Sequence, residues 1–228
     1  MNKRAVLLLI LINLVFFSDA FSQEKLWKEL NDKAVWFHKK GWPREGLKVA
    51  EEALEVAEKT FGPEHQNVAI TLNNLAEIYR SQDKPVEAEN LYKRALDIWD
   101  KTLGKNHPDI AIALNNLGQL YFSEGRLDEA EGLFLKALEI RKKALGAEHP
   151  YVATCLHKLA LLYYAKRDYI KAEPLFEEAL KIRKKTLGPD DIQVATLLEN
   201  YEKLLLKLGK TKEADQVRKE IEYIRSVQ

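Results

Sequence analysis

The sequence predicts an all-α protein, a solenoid of about five stacked helix pairs, on three observations. Glycines recur with a 42-residue period, at Gly62, Gly104, Gly146 and Gly188. A period of that size marks repeated elements that cover one another's apolar faces. Within each repeat the apolar and small residues fall three and four apart, as Leu72, Leu75, Ala76 and Tyr79, then Leu114, Leu117, Gly118 and Tyr121, then Leu156, Leu159, Ala160 and Tyr163. That spacing lines one helix face. No segment reads as a strand.

Residues 1–22 stand apart from this pattern. Asn2, Lys3 and Arg4 make a basic start, Ala5 to Phe17 is apolar apart from Asn13, and Ala20-Phe21-Ser22 offers small residues at both cleavage-determining positions. The segment 1–22 is expected to be a signal peptide, with an uncleaved membrane anchor as the alternative, so the protein is expected to be exported, periplasmic or secreted. The first repeat, 23–62, carries Lys33 and Ala34 one period before Leu75 and Ala76. A lysine at a normally apolar position suggests a capping repeat with a solvated outer face. Three regular repeats follow at 63–104, 105–146 and 147–188. Their second helices carry Ala88, Tyr92 and Ala95, then Ala130, Phe134 and Ala137, then Ala172, Phe176 and Ala179. The small residues let paired helices approach closely and the aromatics fill the space between turns. The last repeat, 189–228, places Tyr201 and Glu202 at the Leu75 and Ala76 positions and is expected to cap the other end. Turns at Gly41-Trp42-Pro43, Asp83-Lys84-Pro85, Glu124-Gly125-Arg126, Lys166-Arg167-Asp168 and Leu208-Gly209-Lys210 separate the two helices of each pair.

Taken together, these positions resemble the tetratricopeptide repeat (TPR). The 42-residue period, with Leu103-Gly104-x-x-His107-Pro108 and Leu114-Asn115-Asn116-Leu117, resembles the kinesin-light-chain type of that family. The resemblance covers nearly the whole chain after residue 23. It implies a right-handed superhelix and a protein that binds other proteins rather than one that catalyses a reaction.

Charge excludes further partner classes. Without Lys3, Arg4 and Asp19 the chain holds 34 basic residues (36 − 2) and 34 acidic ones (35 − 1), interspersed, which is not the basic footprint of a nucleic-acid binder. The run Lys181-Ile182-Arg183-Lys184-Lys185 reads as a solvated helix face. Cys155 is the lone cysteine and aligns with Ala113, Thr71 and Leu197, so it reads as a packed thiol. His65, His107 and His149 tempt a zinc reading, but equivalent positions of successive helix pairs lie about 10 Å or more apart. One period after His149 stands Asp191, a good helix N-cap, and the same role is expected of the histidines. The glycine before each is expected to end the preceding helix in a left-handed turn. Nucleophile elbows, zinc-protease motifs, phosphate loops and Cys-x-x-Cys pairs are absent from the sequence, so neither an enzyme nor a cofactor is expected.

The resemblance also implies a binding surface. In this family the side of the first helices opposite the packing face lines a concave groove, and here it carries Asn31, Asn73, Asn74, Glu77, Arg80, Asn115, Asn116, Gln119, His157, Lys158, Tyr164 and Asn200. Asparagine is a mediocre helix former, so its recurrence mid-helix asks for a reason. A side-chain amide donates and accepts at once, as the backbone of an extended peptide requires. The expected partner is a protein or extended peptide, with membrane contact only if residues 1–22 are kept. Two alternatives stay open: the asparagines hold the repeats together and the chain self-associates, or the chain is an accessory subunit of an envelope enzyme. Trp36 aligns with Ile78, Leu120 and Leu162 and is expected in the core; Trp27 aligns with Ala69, Ala111 and Ala153 and is expected to cover the open end of the first repeat, or else to form an aromatic docking patch.

Overall fold

The computed structural model describes residues 3–227, with side chains from residue 21 onward. The leader expected at 1–22 lies outside the described residues except for its backbone, which is helical from Lys3, and the last two side chains. Ten helices run through the described residues, with no strand among them: α1 (Lys3–Lys39), α2 (Pro43–Phe61), α3 (Gln66–Ser81), α4 (Pro85–Leu103), α5 (Pro108–Ser123), α6 (Leu127–Leu145), α7 (Pro150–Ala165), α8 (Tyr169–Leu187), α9 (Ile192–Lys207) and α10 (Thr211–Ser226). Odd-numbered helices are the first and even-numbered helices the second of five pairs.

The repeated starts have local causes. His65, His107 and His149 each accept, through Nδ1, the amide of the residue two ahead: Asn67 at 3.1 Å, Asp109 at 3.3 Å and Tyr151 at 3.2 Å. Asp191 does the same for Gln193 at 2.7 Å. Each cap satisfies one of the amides that the first turn leaves without a helical partner. Prolines at 43, 85, 108 and 150 open α2, α4, α5 and α7, where a missing amide costs nothing.

The stops correct one expectation. Gly62, Gly104, Gly146 and Gly188 have φ of 80° to 93° but ψ of 153° to 156°, an extended conformation open in practice to glycine alone, not the left-handed helical turn. The chain thereby leaves the second helix extended towards the next cap. Positive φ also recurs inside the pairs, at Gly41, Asp83, Gly125, Arg167 and Gly209, with the same period.

The chain divides into two compact units, residues 1–105 and 106–228. In the first, α1 packs on α2, α3 on α4, and α2 on α3. Ala34, Ala50, Leu75 and Ile78 are buried together with Leu47, Leu54 and Leu91 against them. In the second, the pairs α5/α6, α7/α8 and α9/α10 join through α6 on α7 and α8 on α9. Phe176 is fully buried in a core that also holds Ala172, Ala179, Val194 and Leu198. At Gly118 the helices leave no room for a side chain: a Cβ would stand 2.7 Å from Phe134 Cε1.

Three terminal expectations are corrected. Trp36 is 47% exposed rather than in the core, because its counterpart Ile78 packs against the preceding pair and no helix among the described residues precedes α1. Trp27 turns inward instead of covering an open end: its indole donates to Thr71 Oγ1 at 2.8 Å and its ring meets Phe61 edge-on. Glu202 is not on a solvated outer face, since Arg218 of α10 reaches over and donates to it at 2.8 Å.

Candidate ligand-binding surface

The residues expected to line a groove all lie on first helices, and each unit can be taken in turn. In the first unit, Asn74 of α3 donates to Asn31 of α1 at 3.1 Å. Asn73 is only 7% exposed. One turn on, Arg80 grips Glu77 with two hydrogen bonds, Nε to Oε1 at 3.2 Å and Nη2 to Oε2 at 3.0 Å, and the Tyr92 hydroxyl donates to the same carboxylate. Burial alone would push the Glu77 carboxyl up, but Arg80 and Tyr92 together hold it below the usual carboxylate range. The Tyr92 phenol is pushed up, first by burial and then by the Glu77 charge. This trio is an ion pair that satisfies itself.

In the second unit the same face is a ladder of polar contacts between neighbouring first helices. Asn115, 6% exposed, donates from Nδ2 to Cys155 Sγ at 3.2 Å, while its Oδ1 is buried with no partner among the described residues. Burial pushes the Cys155 thiol up, so this sulfur is a packed acceptor rather than a nucleophile. Lys158 donates to Gln119 Oε1 at 2.7 Å with its ammonium over the Phe134 ring. The Asn200 amide stands 3.2 Å from His157 Nε2 and donates to Thr196 O at 3.2 Å, one hydrogen for each acceptor. His157 is held neutral, its pKa lowered to about 4 by burial first and then by Arg183 and Lys158. Tyr164 rests half-buried against Tyr169, and Asn116 is half-buried.

Thus Asn31 meets Asn74, Gln119 meets Lys158, and His157 meets Asn200, whereas Glu77 and Arg80 pair along one helix. The sequence reading missed two cations on the second helices. Arg141, which the sequence reading did not single out, is 7% exposed and stacks on Tyr151 with 4.4 Å from guanidinium carbon to ring centroid. Arg183, one period later, is half-buried and donates to Gln193 Oε1 at 2.8 Å. A cavity of about 200 Å³ opens beside it, lined by His157, Arg183, Gln193 and Thr196. The available signal was the recurrence, one period apart, of two arginines that each follow an isoleucine, Ile140 and Ile182. Among the described residues no three histidines, cysteines or carboxylates converge in a way that would hold a metal ion, and no helix is long and apolar enough to cross a membrane.

Known proteins match this architecture. The chain superposes on a crystal structure of BtubC (BKLC) from P. vanneervenii with a TM-score of 0.82 at 22% identity, covering 94% of this chain and 85% of that one. It superposes on kinesin-light-chain, nearly identical TPR-like repeats from Podosopora anserina with a TM-score of 0.73 at 24% identity over 87% and 94% of the two chains. Pseudomonas aeruginosa pilF follows at 0.67 and 18% identity, over 89% and 78%. These likenesses speak for the fold. No curated protein matches in sequence. The tetratricopeptide-repeat family model matches at residues 29–101, 82–143, 109–185 and 157–217, so the chain belongs to the tetratricopeptide-repeat family, which serves generally in protein–protein contact and scaffolding.

Proposed function

We propose that the protein is an exported, non-enzymatic scaffold that holds a protein segment or extended peptide on the face of its first helices. The observation that carries this reading is the Asn115 amide, buried at a helix position with its Oδ1 unpartnered, among donors and acceptors aligned from one first helix to the next. An unpaired buried carbonyl is costly, and an extended backbone offers the amide that would relieve it. Export is proposed from the basic-then-apolar start of residues 1–22.

A second reading is favoured by the contacts Asn31–Asn74 and His157–Asn200, which alone would hold neighbouring pairs in register. Affinity capture from the native compartment, with bound proteins quantified, separates the two. If the face binds a partner, Asn73→Ala with Asn115→Ala reduces capture roughly fivefold or more, a loss of about 1–3 kcal/mol. The exposed control pair Glu52→Ala and Glu139→Ala leaves capture unchanged. If the asparagine pair lowers the melting temperature while capture persists, the amides serve the fold and the partner lies elsewhere.

A further inference from the structure

One face of α1 is open where the same face of later first helices is covered. In α3 the stripe Val68, Thr71, Leu75 and Ile78 is buried where that helix packs on the preceding pair, and the positions two and three periods on are buried in α7 and α9 as well. One period before α3 the stripe reads Leu26, Glu29, Lys33 and Trp36, at the three- and four-residue spacing of a single helix face, and all four are exposed. Trp42 enlarges the apolar part, since its ring stands edge-on to Trp36 at 5.6 Å and is half-exposed itself. It aligns with Lys84, Arg126, Asp168 and Lys210, so every later repeat carries a charge where the first carries an indole. Uncovered tryptophans beside a leucine are the anchors that protein interfaces use.

We propose that this face pairs with the same face of a second copy of the chain, α1 against α1, antiparallel about a two-fold axis midway between Glu29 and Lys33. The charges select that arrangement. An antiparallel pair so centred brings Leu26 of one copy against Trp36 of the other and Glu29 of one against Lys33 of the other, and the symmetry repeats each contact. A parallel pair would set Glu29 against Glu29 and Lys33 against Lys33, and like charges so placed repel. Contacts within one chain hold these charges weakly: Glu29 meets Lys25 at 3.7 Å between exposed side chains, a pairing of little worth, and the Lys33 ammonium lies 5.8 Å over the Phe37 ring. Head-to-tail stacking has no comparable surface to use, because α10 carries Arg218 and Glu222 where α8 carries the core residues Phe176 and Leu180. The pairing is independent of the partner-binding reading above; where the first-helix face holds a partner, the dimer holds two in one particle.

The test is sedimentation equilibrium of the protein isolated from its native compartment, over rising concentration. One helix on one helix makes a small interface beside the roughly 1,600 Å² of a standard complex, so a reversible dimer is expected. Lys33→Glu and Glu29→Lys each set like charges across the axis and should weaken the dimer at least tenfold, with circular dichroism and melting temperature kept because both positions are exposed. Mixing these two variants, or combining both changes in one chain, restores the opposite pairs and should restore association. Tyr223→Ala, at an exposed ring of α10, should leave the dimer as it is. Direction is read by oxidative cross-linking of Leu26→Cys chains mixed with Trp36→Cys chains, the native Cys155 being buried. Unlike positions should join, since like positions in the antiparallel pair stand about 15 Å apart, beyond the roughly 7 Å that a disulfide spans. A monomer at every concentration, a dimer that survives Lys33→Glu, loss of the dimer on Tyr223→Ala, or cross-links mainly between like positions overturns the proposal. So does a monomer that binds vesicles of anionic phospholipid and is released by Trp36→Ala, which would make the face a lipid surface.

Discussion

His149 closes the first turn of α7 with its Nδ1, and Asp191 closes the first turn of α9 with a carboxylate at the shorter distance of 2.7 Å. Both are single contacts with definite worth, since removing an N-cap costs about 0.5–2 kcal/mol. Thermal unfolding should therefore show His149→Ala destabilised by about 1 kcal/mol and His149→Asp at or above the parent; equal loss in both variants would mean that the ring packs rather than caps. Glu77 makes a pH-dependent contribution. Its folded pKa lies below the ordinary 4.5, so the stabilisation is fully present above that value and is lost as pH falls through the lower folded value. Glu77→Gln should thus flatten the fall in stability measured between about pH 5 and about pH 3, and an unchanged acid limb would place the dominant carboxylates elsewhere.

At the scale of the helix pair, the contact of α5 against α6 leaves no room for a methyl group at Gly118. Gly118 occupies the place that alanine fills in α3 and α7, yet the buried Phe134 ring has moved into the space of the missing methyl. An added methyl group must displace that ring, and overpacking of this kind costs about 1–3 kcal/mol, more than the roughly 1 kcal/mol of helix propensity gained from replacing glycine. Gly118→Ala should lower the denaturant midpoint with little change in slope. A rise in the midpoint would show that Phe134 can withdraw. The helix pairs were legible in the sequence because each depends on its own caps, turn glycines and apolar spacing, all of which repeat with one period. Trp36, Trp27 and Arg183 were not, because their environments depend on what stands beside them: no helix before α1 among the described residues, a hydroxyl at Thr71, and glutamine where the previous repeat has Tyr151. The polar face was legible as a set of residues, but their pairing needed the side-chain geometry.

For the molecule as a whole, a repeat array draws stability from each pair and from the contact between neighbours, so the last pair should matter well beyond its own length. The α9/α10 pair covers Phe176, Ala179 and Leu180 of α8 with Val194, Leu197, Leu198 and Tyr201, and Arg218 of α10 secures Glu202. Ending the chain after Gly188 would leave the α8 face in water, at about 1.5–3 kcal/mol for each large apolar side chain uncovered. The expected loss is at least about 3 kcal/mol, a fall of about 6–12 °C in melting temperature for a chain of this size, with dye-accessible apolar surface appearing at the same time. Circular dichroism should still report helix, because the remaining pairs keep their own caps and cores. A truncated chain that melts where the parent does would mean that the α8–α9 contact contributes little and that the array is only weakly coupled from one pair to the next.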